Sequence, residues 1–152
     1  MSGIIGSAGS KSHIIGNFDN VVFFGEHNTT LTSANVIMNF DTNIYNPDGN
    51  YSTGVYTVPS AGDYLVIATS KGQSGTSTDS GTGLRLYKNG SEVDASAAIG
   101  YVSATDTRLQ GTLSMVTSCV AGNTLQINNY LEGPGNSNNV HGGLLSIIRV
   151  GA

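Results

Sequence analysis

The chain has 152 residues, enough for one domain, and a formal net charge of −4 with only six Lys and Arg. Those six cations lie far apart in the sequence, so no basic patch is predicted and nucleic-acid binding is excluded. No run reaches the ~18 consecutive apolar residues that a membrane-spanning helix needs. Recurrent apolar runs among Gly, Ser, Thr and Asn favour an all-β protein over a disordered one.

The first predicted element is an N-terminal arm, residues 1–17, followed by a head domain predicted for residues 18–152. The arm contains a near-repeat, in which Ser2–Gly6 recurs as Ser12–Gly16. Two interpretations remain open: a flexible leader, or an extended arm that docks into another chain or subunit. The docking interpretation depends on four isoleucines that a solvated linker does not need: Ile4, Ile5, Ile14 and Ile15.

Turn residues divide the rest of the sequence into short runs with a period of two, and no helix is predicted. Strong turn signals occur at Asn46-Pro47-Asp48-Gly49 and at Asn89-Gly90. Short strands separated by such turns are typical of a β-sandwich or jelly roll. The predicted strands are, in chain order, Val21–Gly25, Val36–Met38, Thr42–Tyr45, Tyr51–Val58, Asp63–Ser70, Leu84–Lys88 with a partner after Asn89-Gly90, Ala97–Val102, Arg108–Val120, Leu125–Tyr130 and Gly143–Val150.

Two of these predicted strands, Asp63–Ser70 and Gly143–Val150, are apolar on both faces. In the first, Leu65 and Ile67 alternate with a second apolar set, and Leu144 does the same in the last strand. A sandwich strand with one face in water should instead alternate apolar and polar residues. Since no helix is predicted to cover the second face, we expect another copy of the chain to cover it. A monomer whose long loop covers this face is the alternative.

Several residues and their spacing resemble the complement C1q-type globular head, a member of the tumour-necrosis-factor-like jelly-roll superfamily. The residues that match the family signature are Phe40, Asn46, Tyr51, Tyr56, Gly62 and Tyr64, with further similarity at Leu86–Gly90, Val120–Leu125 and Val140–Leu145. The resemblance implies an all-β, ten-stranded jelly-roll sandwich that forms homotrimers. It also implies that Leu65, Ile67 and Leu144 face the trimer axis.

The arm together with such a head also resembles small virion proteins of tailed phages. This resemblance implies a non-enzymatic capsid decoration or cement protein in the virion, whose arm binds the major capsid protein or another virion protein. A chain that starts at Met1 and holds only an arm and a head fits this expectation. The alternative is a receptor- or carbohydrate-binding fibre knob, whose loops Gly72–Gly83 and Glu132–Asn139, with Tyr130, would contact a host-surface glycan.

No residue pattern for catalysis or metal binding is evident, so no cofactor is predicted. His13, His27 and His141 share no metal-ligand spacing and are expected at the surface or at strand ends. The few glutamates form no acid–base pair, and Gly-X-Ser-X-Gly is absent. A hydrolase assembled from separate loops is a third interpretation. Cys119, the single cysteine, excludes an intrachain disulfide and is predicted to be buried.

Overall fold

The computed structural model describes residues 21–73, 80–93, 98–102, 108–132 and 139–151. Within these ranges the chain forms eleven strands and no helix, so none of the described residues forms a helix that could cross a membrane. The predicted boundary between residues 17 and 18 lies outside the described residues. The strands are β1 (Val21–His27), β2 (Thr42–Tyr45), β3 (Tyr51–Ser52), β4 (Val55–Thr57), β5 (Gly62–Gln73), β6 (Ser80–Lys88), β7 (Ser91–Glu92), β8 (Ala98–Val102), β9 (Arg108–Cys119), β10 (Thr124–Glu132) and β11 (Asn139–Arg149).

The strands form two antiparallel sheets that enclose one core. The five-stranded sheet has the order β2-β1-β11-β5-β9, and the six-stranded sheet has the order β3-β4-β10-β6-β7 with β8 also paired to β6. The chain passes repeatedly from one sheet to the other, as between β5 and β6 and between β10 and β11. This topology is a jelly roll, so the predicted all-β jelly-roll class is confirmed, with eleven strands among the described residues where ten were predicted.

The core consists of side chains from the inward faces of both sheets, at every second strand position. The ring of Phe23 in β1 stacks on the ring of Tyr51 in β3, with centroids 4.1 Å apart, and so joins one sheet to the other. The largest fully buried side chains are Tyr56, Tyr64, Phe23, Phe40, Met38, Leu84, Leu86, Leu125, Ile127 and Ile147. The predicted alternation within Asp63–Ser70 is confirmed, because Tyr64, Val66 and Ala68 are all buried.

Two tight turns show where turn prediction works and where it fails. Asn89-Gly90 joins β6 to β7 with φ values of 52° and 78°, as its sequence predicts. Thr53-Gly54 makes a second turn with two positive φ values, 49° and 88°, and divides Tyr51–Val58 into β3 and β4. The prediction of one strand there was wrong, because Thr seldom adopts a positive φ and gave no turn signal.

The predicted strand Val36–Met38 does not form a regular strand. Ile37 instead makes a single bridge to Asn128 of β10, and the Met38 N–H donates to the Ile127 carbonyl at 2.8 Å. The segment therefore lies beside β10, where it continues the line of the short strand β4. The predicted loop Gly72–Gly83 is shorter than expected, since β5 extends to Gln73 and β6 begins at Ser80.

The two ends of the sandwich differ in which strand ends lie there. At the end that we call the loop end, Gln73 pairs with both Asn139 and Arg108, and Ser80 pairs with Val102. These strand ends flank residues 74–79, 103–107 and 133–138. At the opposite end, the arm end, β1 begins at Val21 beside Ile148. The chain therefore enters β1 at the end opposite to the loop end.

Candidate functional site

The outward side of the five-stranded sheet carries apolar side chains in several adjacent strands. In β1 and β5 the burial alternates, so residues between the buried ones point away from the core. We call this surface the apolar face. Its members are Phe24, Tyr45, Leu65, Ile67, Val116, Leu144 and Ile148.

The strand register places these side chains in cross-strand rows. Leu65 of β5 lies between Val116 of β9 and Ile148 of β11. One row nearer the loop end, Ile67 lies between two serines, and in the following row Thr69 pairs with Leu144. The sheet thus brings the three residues predicted at the trimer axis, Leu65, Ile67 and Leu144, onto one surface. Their contact with another copy stays a prediction.

Exposure within the apolar face increases from its centre to its margins. Leu65 and Ile67 are half-buried by the strands on each side of β5, whereas Val116 is 57% exposed and Leu144 and Tyr45 are 38% exposed. Large apolar side chains that lie exposed in the middle of regular strands indicate an interaction surface. Val120 and Val150 extend this surface at the arm end, with 60% and 52% exposure.

The outward side of the six-stranded sheet has a different chemistry. The Arg85 guanidinium lies 4.0 Å from the centre of the Tyr130 ring and donates to Glu92 at 3.1 Å. On β10, Gln126 donates to Asn128 at 3.2 Å. These groups on this surface, the polar face, have partners within the chain.

The chain also covers the free edge of β10 with its own segment, residues 31–38. The Val36 N–H donates to the Asn129 side-chain oxygen at 2.7 Å, and the Asn129 side-chain amide donates to the Ser33 carbonyl at 2.7 Å. The neighbouring Asn128 amide donates to the Asn35 carbonyl at 3.2 Å. Two successive buried asparagines therefore hold the segment through both its donors and its acceptors.

The other residues singled out in the sequence lie apart from the apolar face. His27 does end a strand, but it is buried rather than at the surface, and its Nδ1 donates to the Asn39 carbonyl at 2.7 Å. His141 is exposed, and Cys119 is buried, which raises the pKa of its thiol. Within the described ranges, no group of three His, Cys, Asp or Glu side chains could hold a metal ion.

Some predicted sites fall outside the described residues. These are the arm isoleucines Ile4, Ile5, Ile14 and Ile15, together with His13 and residues 74–79 and 133–138 of the two predicted loops. Tyr130, at the edge of the second loop, is described, and one face of its ring is covered by Arg85. Its ring therefore offers less stacking area to a sugar than the sequence suggests.

Sequence reasoning missed Val116 as a member of the apolar face. Its neighbours on the same side of β9 are Gln110, Thr112 and Ser114, which are exposed, as expected of a strand face in water. Only the pairing of β9 with β5 shows that Val116 lies beside Leu65. The apolar outward residue was visible in the sequence, but its apolar neighbours on other strands were not.

No protein-family model and no curated protein sequence matches this chain. Among solved structures, the fold is similar to the globular domain of the zebrafish complement 1qA protein. The similarity covers 86% of this chain and 97% of that chain, with a TM-score of 0.61 and 11% sequence identity. The chain therefore has a C1q-like jelly-roll fold, as its signature residues predicted, and the low identity carries the comparison no further than the fold.

Proposed function

We propose that the chain is a non-enzymatic structural protein of a virion, which assembles as a homotrimer through its apolar face and decorates the capsid. The apolar face is the observation that carries this proposal. It places Leu65, Ile67, Val116, Leu144 and Ile148 on one side of a regular sheet, where the chain itself supplies no cover among the described residues.

The energy of covering this face favours self-association. Moving one Val, Leu or Ile side chain from full exposure to full burial stabilises by about 1.5–3 kcal/mol. Several half-exposed side chains from each of three copies supply several times that amount. This gain exceeds the free-energy cost of the translational and rotational freedom lost on association. A C1q-like fold agrees with a trimer, because the resemblance of the sequence to that family implies the same state.

The arm supports attachment to a larger particle. It leads into β1 at the arm end, where Val21 pairs with Ile148, whereas the strand ends of the loop end lie on the far side of the sandwich. A trimer with three such arms would bind several shell subunits at once, and linked contacts strengthen one another. The proposed partner of the arm is the major capsid protein or another virion protein, contacted by the isoleucines of residues 1–17.

Deletion of residues 1–17 tests the two halves of this proposal separately. The shortened protein should sediment as the same oligomer as the full chain over a wide range of dilution. It should fail to co-sediment with capsids that bind the full chain. Unchanged capsid occupancy would contradict the role of the arm, and a stable monomer at all concentrations would contradict the role of the apolar face.

A specific observation favours one alternative, a receptor- or carbohydrate-binding knob. The strand ends that flank residues 74–79, 103–107 and 133–138 converge at the loop end, opposite to the arm. Connections gathered at one end of a rigid sandwich are a common place for recognition. The number of copies per particle separates the two functions: hundreds support a decoration protein, and a few dozen support a fibre whose loops bind a host-surface glycan.

A further inference from the structure

Two charged side chains lie on the apolar face near the loop end. Glu26 is in β1 and Lys71 is in β5, and each lies between two buried residues, so both point outward. Within the described part of the chain, neither has an ion-pair or hydrogen-bond partner. A charge at the margin of an apolar surface needs a partner of opposite sign once that surface is covered.

The register fixes where these two charges lie relative to each other. Glu26 pairs with Leu144 of β11, and Leu144 pairs with Thr69 of β5, two residues before Lys71. The acid and the base are therefore on opposite sides of β11, roughly 10 Å apart across the sheet and roughly 7 Å apart along the strands. The two positions differ in level by two residues, a gap that their long side chains can span.

A closed ring of identical copies joins one side of each copy to the opposite side of the next. An acid on one side and a base on the other, two residues apart in level, can meet in each interface of the ring, because both side chains are long. We propose that Glu26 of one copy pairs with Lys71 of the next copy, so that each interface contains one such pair. The inference rests on the proposed self-association through the apolar face.

In a closed ring, rotational symmetry turns all copies in the same direction. All arms then leave on one side and all loop ends lie on the other, which is the geometry that a surface-bound decoration needs.

Zero-length coupling with a water-soluble carbodiimide tests the contact in the full-length, unmodified protein. The reagent joins a carboxylate to an amine that touches it, so an amide bond between Glu26 and Lys71 is expected. Covalent dimers and trimers should appear on a denaturing gel. In a mixture of unlabelled and ¹⁵N-labelled protein, some Glu26–Lys71 cross-linked peptides should join a labelled peptide to an unlabelled one. That product identifies a bond between copies.

Lys71→Arg is the matched control, because it keeps the positive charge but removes the amine. This variant should sediment like the unmodified protein and lose the Glu26–Lys71 product. Charge reversal gives an independent measurement: E26K and K71E should each weaken association by about tenfold. The double variant E26K/K71E should restore association to within about threefold.

The outcomes separate this inference from the proposed function. If the protein sediments as a monomer under all conditions, the apolar face does not mediate self-association and both ideas are wrong. If it forms an oligomer but yields no mixed-label Glu26–Lys71 peptide, and the double reversal does not restore association, only the charge pairing is wrong. A coupled peptide found solely within single copies would also overturn the pairing.

Discussion

The two outward faces of this sandwich are built from the same kind of strand and differ in what covers them. On the polar face of the six-stranded sheet, Arg85 has two partners within the chain, Glu92 and the Tyr130 ring. The apolar face of the five-stranded sheet has exposed Val116 and Leu144. The difference supports the proposal that this second face is covered by another copy of the chain.

The largest expected effect comes from a charge in the apolar face. Val116→Asp should weaken self-association by about a hundredfold or more, because a carboxylate would be buried among Leu65 and Ile148 without a partner. Stability of the single chain should change little, since Val116 is 57% exposed. Thr57→Asp, an exposed position on the other sheet, is the control. Sedimentation at serial dilution measures the self-association of both variants. Equal weakening by the two substitutions would contradict the distinction between the faces.

The next largest effect is expected where residues 31–38 cover the edge of β10. Asn129→Ala removes one hydrogen bond from the Val36 N–H and one to the Ser33 carbonyl, and should lower the free energy of unfolding by about 2 kcal/mol. Water can replace part of both bonds, because Ser33 and Val36 are exposed. Urea unfolding measures the loss.

Asn28→Ala is a matched control for that substitution. The Asn28 amide donates to the Thr42 hydroxyl at 2.8 Å in an exposed position, so its loss should cost less than about 0.5 kcal/mol. Self-association should be unchanged in both asparagine variants. A weaker oligomer in Asn129→Ala alone would mean that residues 31–38 also take part in the contact between copies.

A smaller effect is expected at the ion pair of the polar face. Arg85→Ala removes both the contact with the Tyr130 ring and the bond to Glu92, and should lower stability by about 1 kcal/mol. Both charged side chains are partly exposed, at 23% and 37%, so solvent screens the pair. Arg85→Lys should retain part of the ion pair and lose the planar contact. Unfolding at low and high salt distinguishes the two contributions.

The smallest effect on stability at ordinary pH is expected from the ionisation of tyrosines in the core between the two sheets. Burial raises the pKa of Tyr51 from 10.0 to about 12; the Phe40 N–H bond lowers it and Asp41 raises it. In this range the folded chain binds the proton and the unfolded chain releases it, so stability should fall as pH rises from about 10 to 12. Below pH 9 no change is expected.

Tyr56 provides the comparison for this alkaline transition. Burial raises the pKa of its hydroxyl as well, but that hydroxyl has no hydrogen-bond partner in the structure. Tyr51→Phe and Tyr56→Phe should each flatten the fall in stability above pH 10, and only Tyr51→Phe should also lose a hydrogen bond. Thermal unfolding at a series of pH values measures this. A transition that stays the same in both variants would show that other groups cause it.

Particular residues show how far the sequence predicted the candidate site. Leu65, Ile67 and Leu144 were identified because both sets of alternating positions in their strands are apolar, which a single strand reveals by itself. Val116 was missed because its own strand looks polar on that side, and its apolar neighbours belong to strands that are distant in sequence. The burial of His27 was missed for the same reason: Asn39 and Phe40, which surround its ring, come from a later segment.

Local chemistry determined the strands, the Asn89-Gly90 turn and the presence of two strands with two apolar sides. Those features depend on neighbours within a few residues, so they can be predicted from the sequence alone. Only the pairing of β5 with β9 and β11 decided which side of each strand lies outward, because alternation separates two sets of side chains without showing which set meets the other sheet. The apolar face is therefore a property of the assembled sheet, because its residues come from several strands and no single strand contains all of them.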